Sequence, residues 1–222
     1  NVSSLNQTAT ATATTFINLD ATNNLMTRGE GASASSGGAS FRTTGFKNEG
    51  IAITNTDYFQ VTLKPVTDAL LSLSTLDATF NGTASYYANS GVTSQFAYSL
   101  DGTNFTLINS PVQSSSLTMA TVDVSGISAL QNVPSSTTVT LRYYASGQTT
   151  TGGWGFFSPT ATSDAFSIGG QVILNTTPSP IANNQDFCGS STVANLVAEG
   201  TDLKWYTAAT GGSPLTTDLA LV

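Results

Sequence analysis

A group of aromatic residues late in the first large region is the first candidate for binding chemistry. Trp154, Phe156 and Phe157 fall within four consecutive residues, and Tyr143 and Tyr144 precede them. A sugar ring binds where an aromatic face lies beside hydrogen-bonding side chains, so Trp154, Phe157 and Tyr144 are the predicted ligand-binding residues. The alternative is a core role, because alternation along a strand buries Phe156 and exposes Phe157, or the reverse.

Carboxylates are the other candidates, either for acid-base chemistry or for binding calcium. Six are considered: Glu30, Glu49, Asp57, Asp101, Asp123 and Asp164. Calcium takes about six to eight oxygen ligands, often from loops, and no aspartate-rich calcium loop occurs here. Glu30 and Asp164 are the candidates for a structural calcium ion, and no other cofactor is expected. Two carboxylates could form a glycosidase pair, but their spacing in the sequence does not give their separation in space.

Several kinds of site are excluded by the composition. The chain has no histidine, which excludes Ser-His-Asp hydrolysis, Cys-His nucleophilic chemistry and histidine-ligated zinc. Its single cysteine, Cys188, excludes a disulfide within the chain. Six basic and thirteen acidic residues give a net charge of -7, the wrong sign for binding a phosphate backbone. We therefore predict a non-enzymatic protein that does not bind nucleic acid.

Composition also indicates the fold class and the cellular location. The 222 residues include 37 threonines and 28 serines, and only 9% are charged, against roughly 25% in an average globular protein. This skew favours strands over helical bundles. Because no run of about 18 apolar residues occurs, we expect no membrane insertion. Low charge with abundant small polar residues is typical of extracellular proteins, so we predict an extracellular or cell-surface location, with the targeting signal outside this chain.

Alternation with a period of two recurs from residue 50 onward, with turn residues between the runs. It places Phe59, Val61 and Leu63 on one face of a strand. A later run places Tyr143 on the face opposite Arg142 and Tyr144. Further core positions predicted in the same way are Leu71, Leu73, Val139 and Leu141. About nine or ten such strands with hardly any helix predict an all-β, antiparallel two-sheet sandwich.

One turn is predicted from local sequence alone. Asp101-Gly102 lies between two alternating runs within residues 96–107, which favours a tight hairpin. This turn accounts for Asp101 without a metal or a catalytic role.

Domain boundaries follow from the prolines. Pro178 and Pro180 lie in an apolar-free stretch, so we assign residues 1–175 to the sandwich and 176–180 to a linker. Residues 181–222 begin a second domain that we expect to be incomplete in this chain, because about 42 residues are too few to close a core.

The Ala/Thr alternation near the start has two interpretations. The residues concerned are Ala9, Thr10, Ala11, Thr12, Ala13 and Thr14. An extended segment of this kind could add to a sheet edge of the next molecule and build a filament by β-strand addition. Alternatively, it is an ordinary first strand within its own sheet.

The second domain resembles the immunoglobulin-like repeats of large secreted Bacteroidetes surface proteins. The resemblance rests on the run at residues 187–196, which contains Cys188, and on residues 203–215, which contain Trp205. It implies that Cys188 lies on strand B and that Trp205 packs against it from strand C. The partner cysteine of such repeats is absent, so the oxidation state of Cys188 stays open.

Residues 40 to 172 are similar to the jelly-roll-like modules of the same secreted proteins. The segments that carry this similarity are 96–105, 122–133 and 139–144. It implies a jelly-roll-like, non-catalytic sandwich, often carbohydrate-binding, in a protein exported by the type IX route. Modules of this shape also accompany secreted nucleases.

The leading prediction is thus an adhesion or ligand-binding module at the cell surface or in the medium, with a carbohydrate or a neighbouring surface as partner. The first alternative is a structural subunit of an extracellular filament, in which the chain associates with itself. The second is an accessory domain of a secreted hydrolase or nuclease.

Overall fold

The structure is a computed structural model that describes residues 9–10, 18–20, 25–35, 40–150, 152–160, 163–174, 180–209 and 212–221. These residues are strand and loop, apart from single 3-10 turns at Ser128–Leu130 and Val193–Asn195. The predicted all-β class is therefore confirmed. The chain divides into two compact units, residues 1–175 and 176–222, and each is described by itself below.

Across the described residues there are fourteen strands, all in unit one, in this order along the chain. They are β1 Ala9–Thr10, β2 Leu25–Arg28, β3 Ser40–Thr43, β4 Tyr58–Leu63, β5 Ala69–Ala78, β6 Phe80–Gly82, β7 Val92–Ser99, β8 Thr106–Leu107, β9 Val112–Ser114, β10 Val122–Asp123, β11 Val133–Pro134, β12 Val139–Ser146, β13 Trp154–Phe157 and β14 Phe166–Leu174.

The first layer of the sandwich is a seven-stranded sheet. Its order is β1-β2-β4-β12-β7-β8, and β9 also pairs with β7. All these pairs are antiparallel, as predicted. Strand β12 is central, with its residues opposite those of β4 and β7 on its two sides.

The second layer consists of two smaller sheets that meet at Thr79. One has β5 at its centre, paired with β10, β11 and β14, and the other has the order β3-β13-β6. The Phe157 N–H donates to the Thr79 carbonyl at 2.9 Å, and the Thr79 N–H donates to the Ala165 carbonyl at 3.0 Å. The chain passes from one layer to the other repeatedly, since β4, β7 and β12 lie in the first layer and β5, β10 and β13 in the second.

The predicted core faces are confirmed. Phe59, Val61 and Leu63 are buried on β4, and Leu71 and Leu73 are buried on β5. Aromatic rings from the two layers meet between them: the ring centroids are 5.4 Å apart for Phe59 and Phe156, 5.3 Å for Phe80 and Tyr143, and 5.6 Å for Phe96 and Phe166. The core is thus an aromatic contact between the two layers.

One buried hydroxyl is paired at the middle of this core. The Trp154 indole Nε1–H donates to the Tyr143 hydroxyl at 2.9 Å, and the same hydroxyl lies 2.7 Å from Ser94 Oγ. Burial raises the pKa of Tyr143 above its usual range, so this hydroxyl stays protonated. Because a buried polar group is costly when unpaired, these bonds tie β13 to β12 and β12 to β7.

The predicted hairpin is confirmed, but its loop is wider than a tight two-residue turn. Ala97 pairs with Leu107, and Tyr98 pairs with Thr106. Residues 100–105 form the loop between them, with Gly102 at a φ of +76°.

Alternation in the sequence also predicts strands over residues 117–124 and around residues 165–168, and both predictions need correction. The strand predicted over residues 117–124 is reduced to Val122–Asp123, because Thr118 makes only an isolated bridge to Thr79. The final strand, predicted around residues 165–168, continues to Leu174 because every residue from Phe166 onward pairs with β5 across a bulge at Gly169/Gly170.

The strands at sheet edges include β14 in one layer and β1 in the other. The nine residues of β14 pair with β5 on one side, and no described residue pairs with the other side. β14 carries no charged residue and no proline, and its Ile173 and Leu174 are 53% and 47% exposed. At the edge of the other layer, Ala9 and Thr10 pair with Met26 and Leu25 of the same chain. Residues 11–14 of the alternating segment lie outside the described residues.

Unit two contains isolated bridges and turns in its described part. Ile181 bridges Glu199, Thr192 bridges Ala220, and the Leu215 N–H donates to the Trp205 carbonyl at 2.8 Å. Trp205 is half-buried and Cys188 is an exposed free thiol. The immunoglobulin-like assignment stays a prediction.

We expect Tyr143→Phe to lower the free energy of unfolding by about 1–3 kcal/mol, because it leaves the buried Trp154 N–H without an acceptor. Urea denaturation of the full chain, followed by far-ultraviolet circular dichroism, measures the change. Ser94→Ala is the matched control, since it leaves the Trp154–Tyr143 bond in place and should cost less. Equal stability of Tyr143→Phe and the wild type would contradict this account.

Candidate functional site

Trp154 is a core residue in this structure. It is 1% exposed, and its ring stacks on Phe80 with centroids 4.9 Å apart. Phe156, two residues on, is also buried and contacts Phe166 at 5.0 Å. Neither ring offers a face that a sugar could reach from solvent, so for these two residues the core alternative holds.

Phe157 and Tyr144 lie on different layers. Phe157 is half-buried on the outer side of β13. Tyr144 belongs to β12 and packs with Ala97 and Phe105 in a second apolar cluster on the outer side of the seven-stranded sheet. The structure therefore does not bring Trp154, Phe157 and Tyr144 together on one surface.

A cluster around Arg142 occupies the outer side of the seven-stranded sheet, and we call it the Arg142 clamp. The guanidinium carbon of Arg142 lies 3.8 Å from the centroid of the Tyr58 ring and 3.7 Å from that of the Phe105 ring. The Arg142 Nε–H donates to Gln60 Oε1 at 2.9 Å. Cation–π contacts with two rings and a hydrogen bond to an amide hold the guanidinium in one orientation. The clamp consists of Tyr58, Gln60, Phe105 and Arg142.

Register explains why these residues share a face. Arg142 lies opposite Gln60 on one side and Ala97 on the other, and Gln60 lies opposite Thr27. Directly opposed residues of antiparallel strands point to the same side of a sheet, so Thr27, Gln60 and Arg142 form a polar row. All three are half-buried. The row crosses three adjacent strands on a surface against which the described residues place no second sheet.

The hairpin loop places Phe105 over Arg142. Asp101 Oδ1 accepts hydrogen bonds from the backbone N–H groups of Thr103 at 2.8 Å and Asn104 at 2.7 Å, and its Oδ2 accepts from Asn104 Nδ2 at 2.7 Å. The Asn104 bonds hold the pKa of Asp101 well below its usual range, because they stabilise the charged form. Asp101 thus orders the residues that immediately precede Phe105.

The segment between β3 and β4 covers Tyr144. The Tyr144 hydroxyl donates to the Ile53 carbonyl at 3.3 Å, and the Gly50 N–H donates to Ser146 Oγ at 3.0 Å. Burial raises the pKa of Tyr144, while the neighbouring Arg142 acts in the opposite direction. Tyr144 is therefore a buried residue that packs against Phe105 of the clamp, and its ring is not exposed for binding a ligand.

Asp57 lies at the end of this segment and is buried. The Lys47 N–H donates to Asp57 Oδ2 at 3.0 Å, while Oδ1 has no partner. Burial raises the pKa of Asp57. It is 1% exposed, so its carboxylate is enclosed rather than presented to a substrate.

The other carboxylates are dispersed. Glu30 and Asp164, the calcium candidates, are both exposed, and the described part of the chain holds no group of three or more carboxylate or thiol side chains that could bind a metal ion. Glu49 pairs with Lys47 at 3.7 Å. Asp123 Oδ1 accepts from the N–H of Ser125, a turn role.

The remaining strand arginines are placed differently from Arg142. Arg28 lies 3.7 Å over the Phe41 ring and donates from Nη1 to the Arg42 carbonyl at 2.7 Å. Burial lowers its pKa to about 10. Arg42 lies across Gly153, where a Cβ would come within 1.8 Å of its Nη2, and donates to Thr83 Oγ1 at 3.0 Å.

Comparison with known proteins finds no match: no family model, no curated protein and no solved structure is similar to this chain. Across the described residues, no helix is long and apolar enough to cross a membrane. The site must therefore be interpreted from its own geometry.

Arg142, Gln60, Tyr58 and Phe105 were not predicted from the sequence to be functional. The sequence did indicate the side of the sheet for Arg142, because alternation placed it with Tyr144 on the face opposite Tyr143. The contact between Arg142 and Phe105 could not be predicted from the sequence pattern, because it depends on how the loop at residues 100–105 folds back over the sheet.

Asp101→Asn should reveal a pH-dependent contribution of the loop to stability. Because the folded pKa of Asp101 lies below its unfolded value of about 3.9, its charge stabilises the fold fully above that value and loses this effect as pH falls through the folded pKa. The stability difference between wild type and Asp101→Asn should be largest near neutral pH and shrink below about pH 4. Urea titrations at several pH values test this, with Asp164→Asn as the exposed-aspartate control. A difference that grows in acid would contradict the assignment.

Proposed function

We propose that the protein is a non-enzymatic, extracellular or cell-surface adhesion module that binds carbohydrate through the Arg142 clamp. The observation that carries the proposal is a guanidinium fixed between two aromatic rings on the outer side of the seven-stranded sheet, with an amide and a hydroxyl in the same row. Sugars offer hydroxyl groups in a fixed geometry beside apolar C–H faces; the row supplies the hydrogen-bonding groups, and the half-buried Tyr58 ring lies beside it.

Preorganisation supports this function over a purely structural one. Binding costs free energy when side chains must be ordered, and Arg142 is already ordered in the free protein. The polar atoms of Thr27 and Gln60 extend the surface across β2 and β4, which suits an extended chain of sugar units. No general acid, base or nucleophile lies in this row, which supports binding rather than turnover.

A glycan array tests the proposal. Wild-type protein should bind at least one class of glycan, and Arg142→Gln should lose roughly tenfold or more in affinity, because a charge-assisted hydrogen bond contributes about 1.5–3 kcal/mol. Arg42→Gln is the matched control, since Arg42 is also a half-buried strand arginine but lies on the other layer. Absence of glycan binding, or binding that Arg142→Gln leaves unchanged, would refute the proposal.

A second candidate function is a filament subunit, and the free edge of β14 favours it. Sheet edges in natural proteins are usually protected by charges, prolines or short length, and β14 has none of these protections over its nine residues. We propose that the alternating segment Ala9–Thr14 of a second copy would be the added strand, after its Ala9 and Thr10 leave their pairing with β2.

Electron microscopy of the concentrated full chain should then show filaments, and Ile173→Lys should abolish them by placing a charge on the acceptor strand. Val112→Lys is the control, because Val112 is 51% exposed on β9 of the other layer. Dispersed particles in the wild type, or filaments that persist in Ile173→Lys, would eliminate this function.

A further inference from the structure

The hydrogen-bonding groups of the Arg142 clamp are mainly donors. Gln60 accepts the Arg142 Nε–H through Oε1, which fixes the amide so that its two N–H donors point away from that bond. On the guanidinium, Nε–H is bonded to Gln60 and the Tyr144 hydroxyl is a second hydrogen-bonding neighbour, so the edge considered for a ligand is the one between Nη1 and Nη2. This edge carries parallel N–H groups at the spacing of a carboxylate's two oxygens.

Among the described residues, no carboxylate forms an ion pair with Arg142 at that edge. The ion pair found among the described residues joins Lys47 to Glu49, and Arg142 has no acidic partner there. The chain has 13 acidic residues and only 6 basic ones, so an unpaired arginine is not explained by a shortage of carboxylates.

All three strand arginines are half-buried, but their guanidinium groups differ in how their nitrogens are enclosed. In Arg28, Nε and Nη2 are buried and have no hydrogen-bond partner, and in Arg42 the same is true of Nε. No nitrogen of Arg142 is both buried and without a partner. Enclosed N–H groups cannot reach a ligand unless the protein moves. Because Arg142 has no nitrogen of this enclosed, unpartnered kind, its guanidinium is the one of the three that we consider for a ligand.

From these observations we propose that the Arg142 clamp recognises the carboxylate of an acidic glycan, that is, a polysaccharide that contains uronic acid units. This inference rests on the proposed function and specifies its ligand class. The ligand carboxylate accepts two hydrogen bonds from Nη1 and Nη2, while neighbouring hydroxyl groups accept from the Gln60 amide. The Tyr58 and Phe105 rings keep the guanidinium from rotating away.

The net charge of -7 does not oppose this binding at physiological salt. Charges separated by more than about 8 Å are largely screened at 0.15 M ionic strength. A direct guanidinium–carboxylate contact is much shorter than that distance, so it persists while general repulsion is weakened.

Paired polymers test the inference. Isothermal titration calorimetry with the full chain, 0.15 M NaCl and a calcium chelator would compare polygalacturonate, alginate, hyaluronan and glucuronoxylan with the carboxyl-reduced form of each. The chelator excludes bridging by calcium. At least one uronate polymer should bind roughly tenfold or more tightly than its reduced form, because reduction replaces the anion with a neutral hydroxyl.

Four variants locate the effect. Arg142→Gln and Arg142→Lys should both lose roughly tenfold or more in affinity for the uronate, because lysine keeps the charge but lacks the planar pair of donors. Arg42→Gln should bind like the wild type. Gln60→Leu serves as a second probe if Arg142→Gln unfolds, since it removes the amide donors and the Nε contact while it retains the arginine.

The outcomes separate this inference from the proposed function. Equal binding of acidic and reduced polymers, lost in Arg142→Gln, would overturn the carboxylate inference and leave carbohydrate binding in place. Binding of neutral glycans alone would do the same. Wild-type affinity in Arg142→Lys would overturn the role of the planar edge, and absence of binding to every polymer and every arrayed glycan would overturn both.

Discussion

The structure depends on the need to pair one buried hydroxyl. Tyr143 lies in the centre of the aromatic core, where an unpaired hydroxyl would be costly, and Trp154 and Ser94 supply its partners from two other strands. This requirement fixes the pairing register of β12, because shifting that register by one residue would point the Arg142 and Tyr144 side chains into the core. The same register that satisfies the core therefore places Arg142 on the outer face. Core packing and the candidate site are two consequences of one strand position.

Alternation predicted the buried faces well where a strand has one side against the opposite layer. Phe59, Val61 and Leu63 are examples, and Asp101-Gly102 identified the hairpin because it is a local feature of the chain. Tyr144 shows the limit of alternation. It points away from the sandwich core as the pattern indicates, yet it is fully buried, because the segment before β4 folds over it. Alternation with a period of two predicts which side of a sheet a residue lies on. It does not predict whether a loop covers that side.

The candidate site was harder to predict than the fold for a related reason. Aromatic residues close together in sequence were expected to act together, but β13 places Trp154 and Phe157 on opposite sides of its sheet and Tyr144 belongs to the other layer. The clamp instead joins residues about forty to eighty positions apart, from β4, β12 and the hairpin loop. Such contacts depend on strand order, and strand order in a sandwich whose chain alternates between layers is not encoded by any local pattern.

Each of the two compact units contains one of the chain's two tryptophans. Trp154 lies in a dry aromatic environment and donates a hydrogen bond, whereas Trp205 is half-buried. An indole in a nonpolar interior emits at shorter wavelength than one in contact with water. The chain thus carries an intrinsic fluorophore in each unit, and the emission spectrum can report separately on the loss of structure in either one.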